Sequence, residues 1–219
     1  KGRQNGGLHA ASGTLGQGAS NRVRTALLSV VFKSARLPES YHLGRFVIWL
    51  RQQGIEQQVK QAVEGEGKDW LRELNALFMS PVIANALLKA KPDLAADQKE
   101  LREQLRAEFK RVEDVSNDEM VQGIKDALTV EGKFPLTLIV LDEVQQYIGD
   151  DANKAYQVQE AVETCSKHFN SQLLFVATGQ NALSGMPSLM RLMGRFPLAV
   201  QLSDTDVESV IRKIILQKK

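Results

Sequence analysis

The chain has 219 residues, of which 28 are basic and 26 acidic, and its net charge of +2 gives no long-range electrostatic reason to expect nucleic acid binding. An apolar fraction of 43% and a charged fraction of 25% are typical of a soluble globular protein, and the length suits one sizeable domain or two small ones. We find no apolar run of about 18 residues, so no transmembrane helix and no membrane partner are predicted. The single cysteine, Cys165, cannot form an internal disulfide, which favours a reducing, cytoplasmic location.

The first 131 residues contain little strand pattern. Residues 1–18 carry six glycines and are predicted to be a flexible lead-in, with no strand over 7–12. Residues 19–131 are predicted to form a mainly helical region, because apolar side chains recur there at three- and four-residue spacing. The predicted helices cover 20–33 (capped by Ser20), 43–50, 55–64, 68–79, 81–90 (with Pro81 in its first turn), 94–115 and 117–130.

The predicted helix 94–115 is long and rich in charge. Its apolar stripe includes Val112. The ion pairs Lys99/Glu103 and Lys110/Asp114, each at i,i+4 spacing, are expected on its solvent-exposed face. The stripe lasts less than two heptads, so a packed surface helix is favoured over a coiled-coil arm.

The pattern changes over residues 132–219, where short apolar runs alternate with helical segments. The predicted strands are 136–141, 173–177 and 198–202, and the predicted helices are 154–169, 189–193 and 204–216. Strands that alternate with helices imply crossover connections and a parallel sheet. The sequence therefore predicts an α/β core preceded by a mainly helical region, with Cys165 as a core residue of the helix 154–169.

The strand 136–141 is an unbroken apolar run that ends at two adjacent carboxylates, Asp142 and Glu143. A run without alternation is typical of a strand buried on both faces of a parallel sheet. Acids at the carboxyl end of such a strand lie where open α/β sheets bind their ligands. A simpler alternative is that the two acids begin the next helix, where the helix dipole favours negative charge.

Polar residues also follow the next two predicted strands. Thr178 and Asn181 come directly after the run 173–177, and Arg195 precedes the predicted strand 198–202. Transfer of a phosphoryl group from ATP needs a cation on the phosphates, an oriented water and an arginine for the developing charge. The order of these residues along the chain is compatible with that chemistry.

In this order and spacing, the residues resemble the AAA+ branch of the P-loop ATPases over about residues 134–219. The resemblance implies that Asp142 and Glu143 form a Walker B motif, with Asp142 directed to Mg²⁺ on ATP and Glu143 to the attacking water. It implies that Thr178 senses the γ-phosphate and that Asn181 is a further nucleotide-binding residue. It further implies that Arg195, or else Arg191, is an arginine finger that reaches a neighbouring subunit of a homo-oligomer.

A narrower resemblance is carried by the run from Leu138 to Ile148, Leu-Ile-Val-Leu-Asp-Glu-Val-Gln-Gln-Tyr-Ile, with Val176-Ala177-Thr178-Gly179-Gln180 downstream. These two sequence segments, which follow a long helical region, are similar to segments of large P-loop proteins of bacterial BREX phage-defence systems, the BrxC/PglY group. That resemblance implies other defence-system proteins as partners.

The sequence departs from the ATPase pattern in one respect. A Walker A loop, Gly-x-x-x-x-Gly-Lys-Ser/Thr, is needed to bind the phosphates, and the nearest string, Gly13 to Ser20, carries Ala19 at the lysine position. Either that string is a degenerate loop, or the phosphate-binding strand and loop lie upstream of Lys1 and this chain is a fragment. The second alternative predicts weak or absent ATP binding by residues 1–219.

Three functions remain open on the sequence alone. The first is ATP hydrolysis coupled to conformational change in an oligomer, with this fragment inactive by itself. The second is a non-hydrolysing scaffold or switch that uses a nucleotide-binding fold for assembly. The third is a DNA-binding ATPase of the replication-initiator type, although no basic helix in the sequence supports it.

Overall fold

The computed structural model describes residues 8–16 and 22–179, together with residues 194, 196, 198 and 200. These residues form an α/β fold with a three-stranded parallel sheet. The strands are β1 (His9–Thr14), β2 (Thr137–Asp142) and β3 (Leu173–Ala177). The helices are α1 (Val23–Ser34), α2 (Tyr41–Gln52), α3 (Glu56–Gly65), α4 (Trp70–Asn75), α5 (Pro81–Ala90), α6 (Gln98–Glu108), α7 (Asn117–Leu128), α8 (Val144–Ile148) and α9 (Ala152–His168), with a 3₁₀ turn at Pro92–Leu94.

The sheet has the order β1-β2-β3, so the strand that ends in Asp142 is central. Both neighbours of β2 run parallel to it. The helices α1 to α7 connect β1 to β2, and α8 and α9 connect β2 to β3. The α/β class and the parallel direction predicted from the sequence are therefore confirmed for the described residues.

The strand β1 corrects the prediction that residues 7–12 do not form a strand. Small residues dominate this strand, which has no apolar run to reveal it in the sequence. Its pairing with β2 is what makes it a strand: His9 is paired with Thr137 and Thr14 with Asp142 in a continuous parallel register. The amide of His9 also donates a 2.8 Å hydrogen bond to the carbonyl of Leu136.

The helices that contact the sheet pack on one of its faces. Helix α1 contacts β1, helix α9 contacts β3, and α7 packs against both helices. On the covered face Ala11, Ile139, Leu141 and Phe175 are buried and join one core cluster with Cys165, which was predicted to be a core residue. Burial raises the pKa of the Cys165 thiol to about 12.

The other face of the sheet, called here the open face, is not covered by the described residues. On it Leu174 is 62% exposed and Val176 is 40% exposed, while Leu138 and Val140 of β2 are half-buried. The prediction that β2 is buried on both faces is thus wrong for this part of the chain. Its apolar run instead shows the alternating burial of a sheet with one helical layer.

Several helix boundaries also differ from the prediction. The helix 94–115 is wrong in length, because α6 ends at Glu108 and the segment beyond it is not helical. Asp114, predicted to pair with Lys110, instead forms a 2.7 Å ion pair with Arg24 of α1, and Val112 is 44% exposed. Helix α4 is confined to Trp70–Asn75, within the predicted 68–79.

The capping predictions have mixed outcomes. Helix α1 has Arg22 at its N-cap, without a side-chain capping bond, and the predicted cap Ser20 lies outside the described residues. Pro81 occupies the first turn of α5 as predicted, and Ser80 caps that helix because its hydroxyl accepts a hydrogen bond from the amide of Ile83.

Among residues 8–16 and 22–179, no helix is long and apolar enough to cross a membrane.

The contact between α1 and α2 gives a prediction about stability. Gly44 of α2 is buried, and a Cβ atom there would overlap the Phe32 ring and lie 3.0 Å from the Pro38 carbonyl oxygen. We expect Gly44→Ala to lower the free energy of unfolding by about 1–3 kcal/mol, because overpacking forces the helices apart. Urea unfolding at constant m-value measures the change.

The matched control is Gly65→Ala in α3, where a Cβ would meet nothing within 4 Å. That substitution should leave stability unchanged or raise it by up to about 1 kcal/mol, the difference in helix propensity. Equal unfolding midpoints for the two variants would show that α1 and α2 do not pack as closely as described.

Candidate functional site

All three strands end at one edge of the sheet, where polar side chains from each of them meet. The register pairs Thr14 of β1 with Asp142 of β2, and Leu141 with Ala177, the residue before Thr178. Paired residues of parallel strands project to the same face. Thr14, Asp142 and Thr178 therefore form a row across the carboxyl edge, on the open face, and we call it the edge row.

Thr178 is bonded directly to Asp142. Its hydroxyl donates a short hydrogen bond to Asp142 Oδ1 and accepts one of 3.2 Å from the backbone amide of Glu143. The Thr178 amide donates to the Leu141 carbonyl (3.0 Å), and its carbonyl accepts from the amide of Val144 (3.2 Å). The neighbouring strand thus fixes one oxygen of Asp142 and the turn that follows it.

This arrangement leaves Asp142 available for a ligand. Asp142 is exposed, and among the described residues its side chain has no hydrogen bond or ion pair other than that with Thr178. A carboxylate that is oriented through one oxygen and open at the other can bind a cation without reorganising.

Glu143 adopts an uncommon backbone conformation. Its φ of 53° and ψ of 36° are left-handed, a region that non-glycine residues seldom occupy and that costs of the order of 1 kcal/mol or more. Glu143 is at the N-cap of α8 but makes no capping hydrogen bond with its side chain. The two acids directly precede α8, so the alternative that they begin the next helix, where the helix dipole favours negative charge, stays open.

The donors at this edge fit a hard cation. Carboxylate and hydroxyl oxygens suit Mg²⁺, which takes one or two carboxylates, keeps several waters and commonly shares its remaining positions with phosphates. Within the described residues there is no cluster of three or more His, Cys, Asp or Glu side chains able to hold a metal.

Not all predicted site residues can be placed. The structure brings Asp142, Glu143 and Thr178 together through the hydrogen bonds of the Thr178 hydroxyl. Asn181, Arg191 and Arg195 lie outside the described residues, as do the predicted helices 189–193 and 204–216. Of the predicted strand 198–202, the described residues Leu198 and Val200 are not in a strand and are 82% and 77% exposed.

Thr14 is the residue of the edge row that the sequence did not predict. It was assigned to a glycine-rich loop, whereas it is the last residue of β1 and faces Asp142. A β-branched residue after the mostly small residues of 10–13 is a weak signal of a strand end.

A cleft lies away from the edge row. A cleft of about 820 Å³ is lined by the start of α1, the segment after α6 and the start of α9, and includes Arg24 and Glu160. Arg24 is bonded there to Asp114 at 2.7 Å and to Glu160 at 3.5 Å. These ion pairs join three segments of the chain, and none of the edge row lines the cleft.

Comparisons with known proteins do not identify the chain: no protein-family model matches it, and no solved structure matches it.

The bonds of Thr178 give a prediction about local protection. Thr178→Val removes the hydroxyl but keeps the branched shape, so the Glu143 amide loses its hydrogen-bond acceptor. We expect hydrogen exchange at that amide to become about tenfold faster, corresponding to about 1 kcal/mol for the bond.

Thr178→Ser keeps the hydroxyl and is the matched control, which should show nearly wild-type exchange at Glu143. If the valine variant protects this amide as well as the wild type does, the link between β3 and the acid turn is absent in solution.

Proposed function

We propose that this chain is part of an AAA+-type ATPase, in which the edge row and Glu143 form the hydrolytic half of a nucleotide site. The observation that carries the proposal is the direct hydrogen bond from Thr178, at the end of β3, to Asp142, at the end of β2. A polar residue of one parallel strand that orients an acid of the next is the arrangement expected of a Walker B acid and its sensor.

Each residue has a role that follows from its position. When bound with ATP, Mg²⁺ would neutralise charge on the phosphates. Asp142 would hold the cation through its open oxygen, while Thr178 keeps the carboxylate oriented. Glu143 lies one residue further on, where the chain leaves the strand, and would accept a proton from the attacking water.

The strand order bears on where the phosphates bind. In the AAA+ arrangement, the strand that carries the phosphate loop adjoins the sensor strand, on the side away from Walker B. The strand β1 does not have that position, because it adjoins β2 and not β3. Although β1, the glycine-rich string and α1 follow one another as in a P-loop, their place in the sheet and Ala19 favour a different role.

We therefore infer that the phosphate loop comes from outside residues 1–219 and that its strand pairs with β3. Within the described residues, β3 pairs only with β2, so its other edge has no strand beside it. Arg195 would act in a neighbouring subunit of a homo-oligomer. The suspected setting is a bacterial BREX phage-defence system in the cytoplasm, with other defence proteins as partners.

The test is Glu143→Gln in the full-length polypeptide, with ATP turnover and Mg-ATP binding measured separately. Loss of the general base should lower turnover by about a hundredfold or more, while binding is retained because the amide keeps the size of the side chain. Glu131→Gln is the matched control, since Glu131 is exposed and also left-handed, with a φ of 51°.

Unchanged turnover in Glu143→Gln would contradict the proposed role. If the wild type itself hydrolyses no ATP and the variant keeps its biological activity, the protein is a scaffold with a nucleotide-binding fold.

A further inference from the structure

Glu143 is held in its left-handed conformation by hydrogen bonds to both its amide and its carbonyl. The amide donates to the Thr178 hydroxyl at 3.2 Å, and the carbonyl accepts from the amides of Gln146 (2.9 Å) and Tyr147 (3.3 Å). A non-glycine residue keeps such a conformation only where its surroundings over-determine it. The end of β3 therefore fixes one side of Glu143, and the helix α8 fixes the other.

Helix α8 is too short to be stable by itself. It has five residues, and isolated helices of that length do not persist in water. Its last carbonyls have no partner within the helix. For Tyr147 the partner is Lys154 of α9, whose ammonium donates a 3.2 Å hydrogen bond to the Tyr147 carbonyl and lies 5.0 Å from the centre of the Tyr147 ring. The C-terminal end of α8 thus depends on a contact with α9.

Both partners of this contact are themselves held in place. Tyr147 is 7% exposed and belongs to the buried core, and its ring lies 3.7 Å from the position that a Cβ atom on Gly16 would take. Lys154 is half-buried, and its backbone amide donates a 3.2 Å hydrogen bond to Asp151, the N-cap of α9. The bond from Lys154 to Tyr147 therefore joins α8 to a fixed point of the fold.

We propose that Lys154 is a positioning residue for Glu143, which it stabilises in the left-handed conformation through α8. This inference rests on the proposed function, in which Glu143 is the general base. Tyr147 lies one helical turn after Glu143 and is bonded to its carbonyl, so movement at the end of α8 reaches the base directly. A general base acts only within hydrogen-bond reach of its water, and misplacement by about 1 Å can cost a hundredfold in rate.

A purely structural role for Lys154 leads to a different expectation. Lys154→Met keeps the apolar stem and removes the ammonium. Were the side chain only packing α9 against α8, this substitution would lower stability slightly and leave the conformation of Glu143 and the rate of turnover unchanged. If Lys154 positions Glu143, the same substitution changes the φ angle of Glu143 and slows turnover. The two roles are separable because conformation, stability and turnover are measured independently.

The first measurement uses the chain by itself and needs no nucleotide. Three-bond NMR couplings across φ separate positive from negative φ at Glu143, and hydrogen exchange follows the Tyr147 amide. The variants are Lys154→Met and Lys154→Arg, the second of which keeps a cationic donor. Lys167→Met is the matched control, since Lys167 is exposed in the last turn of the same helix.

We expect Lys154→Met to shift the Glu143 couplings away from left-handed values and to speed exchange at the Tyr147 amide about tenfold. In the full-length polypeptide it should lower kcat for ATP about tenfold and leave KM within about twofold, because the base is displaced while nucleotide still binds. Lys154→Arg should be close to wild type in all of these measurements, and Lys167→Met should match wild type.

Wild-type couplings at Glu143, or a wild-type kcat, in Lys154→Met would overturn the role of Lys154. If Glu143→Gln still loses turnover in that case, the proposed function stands. Normal turnover in Glu143→Gln, or no ATP hydrolysis by the wild type, would overturn the proposed function and the role of Lys154 in turnover together. The couplings then still decide whether Lys154 holds the Glu143 backbone.

Discussion

The parallel, in-register pairing of β2 with both of its neighbours is the constraint on which the rest of the structure depends. Antiparallel strands would place their ends at opposite edges, whereas parallel strands bring all carboxyl ends to one edge. That geometry places Thr178 against Asp142, although 36 residues separate them along the chain. It also brings Thr14, from the other end of the described region, opposite the same acid.

The single helical layer has a consequence for assembly. Parallel sheets are ordinarily covered on both faces, but the described helices cover one face, and Leu174 and Val176 remain exposed on the other. An additional strand beside β3, with its own helix, would cover apolar surface on the open face and bring a phosphate loop to the carboxyl edge. The proposed ATPase core thus accounts for the apolar open face and for the lack of a Walker A motif together.

The sequence predicts well where one element alone determines the pattern. The strand β3 and the helix α5 have the predicted bounds, and the acids at the end of β2 are at the predicted edge. Predictions were wrong where a distant contact decides the outcome. The segment beyond Glu108 is not helical, and the ion pair of Asp114 with Arg24 holds it against α1. No local pattern could reveal that pair, which joins residues 90 positions apart.

The edge row shows the same difference between residues that a local pattern predicts and residues that a distant contact places. Asp142 and Thr178 follow strong apolar runs and could be predicted from them, whereas Thr14 follows small residues that form a strand only because β2 lies beside them. Among the described residues the buried Thr14 hydroxyl has no hydrogen-bond partner, a consequence of three-dimensional packing that the sequence alone does not show.

The most direct measurement compares Mg-ATP binding by residues 1–219 and by the Ala19→Lys variant, using calorimetry. If β1 lies on the wrong side of β2 to present a phosphate loop, restoring the lysine gains nothing, and we expect neither protein to bind Mg-ATP tightly. Sub-micromolar binding by Ala19→Lys would show that Gly13 to Ser20 is a P-loop lacking only its lysine, and would contradict the placement of the phosphate site beside β3.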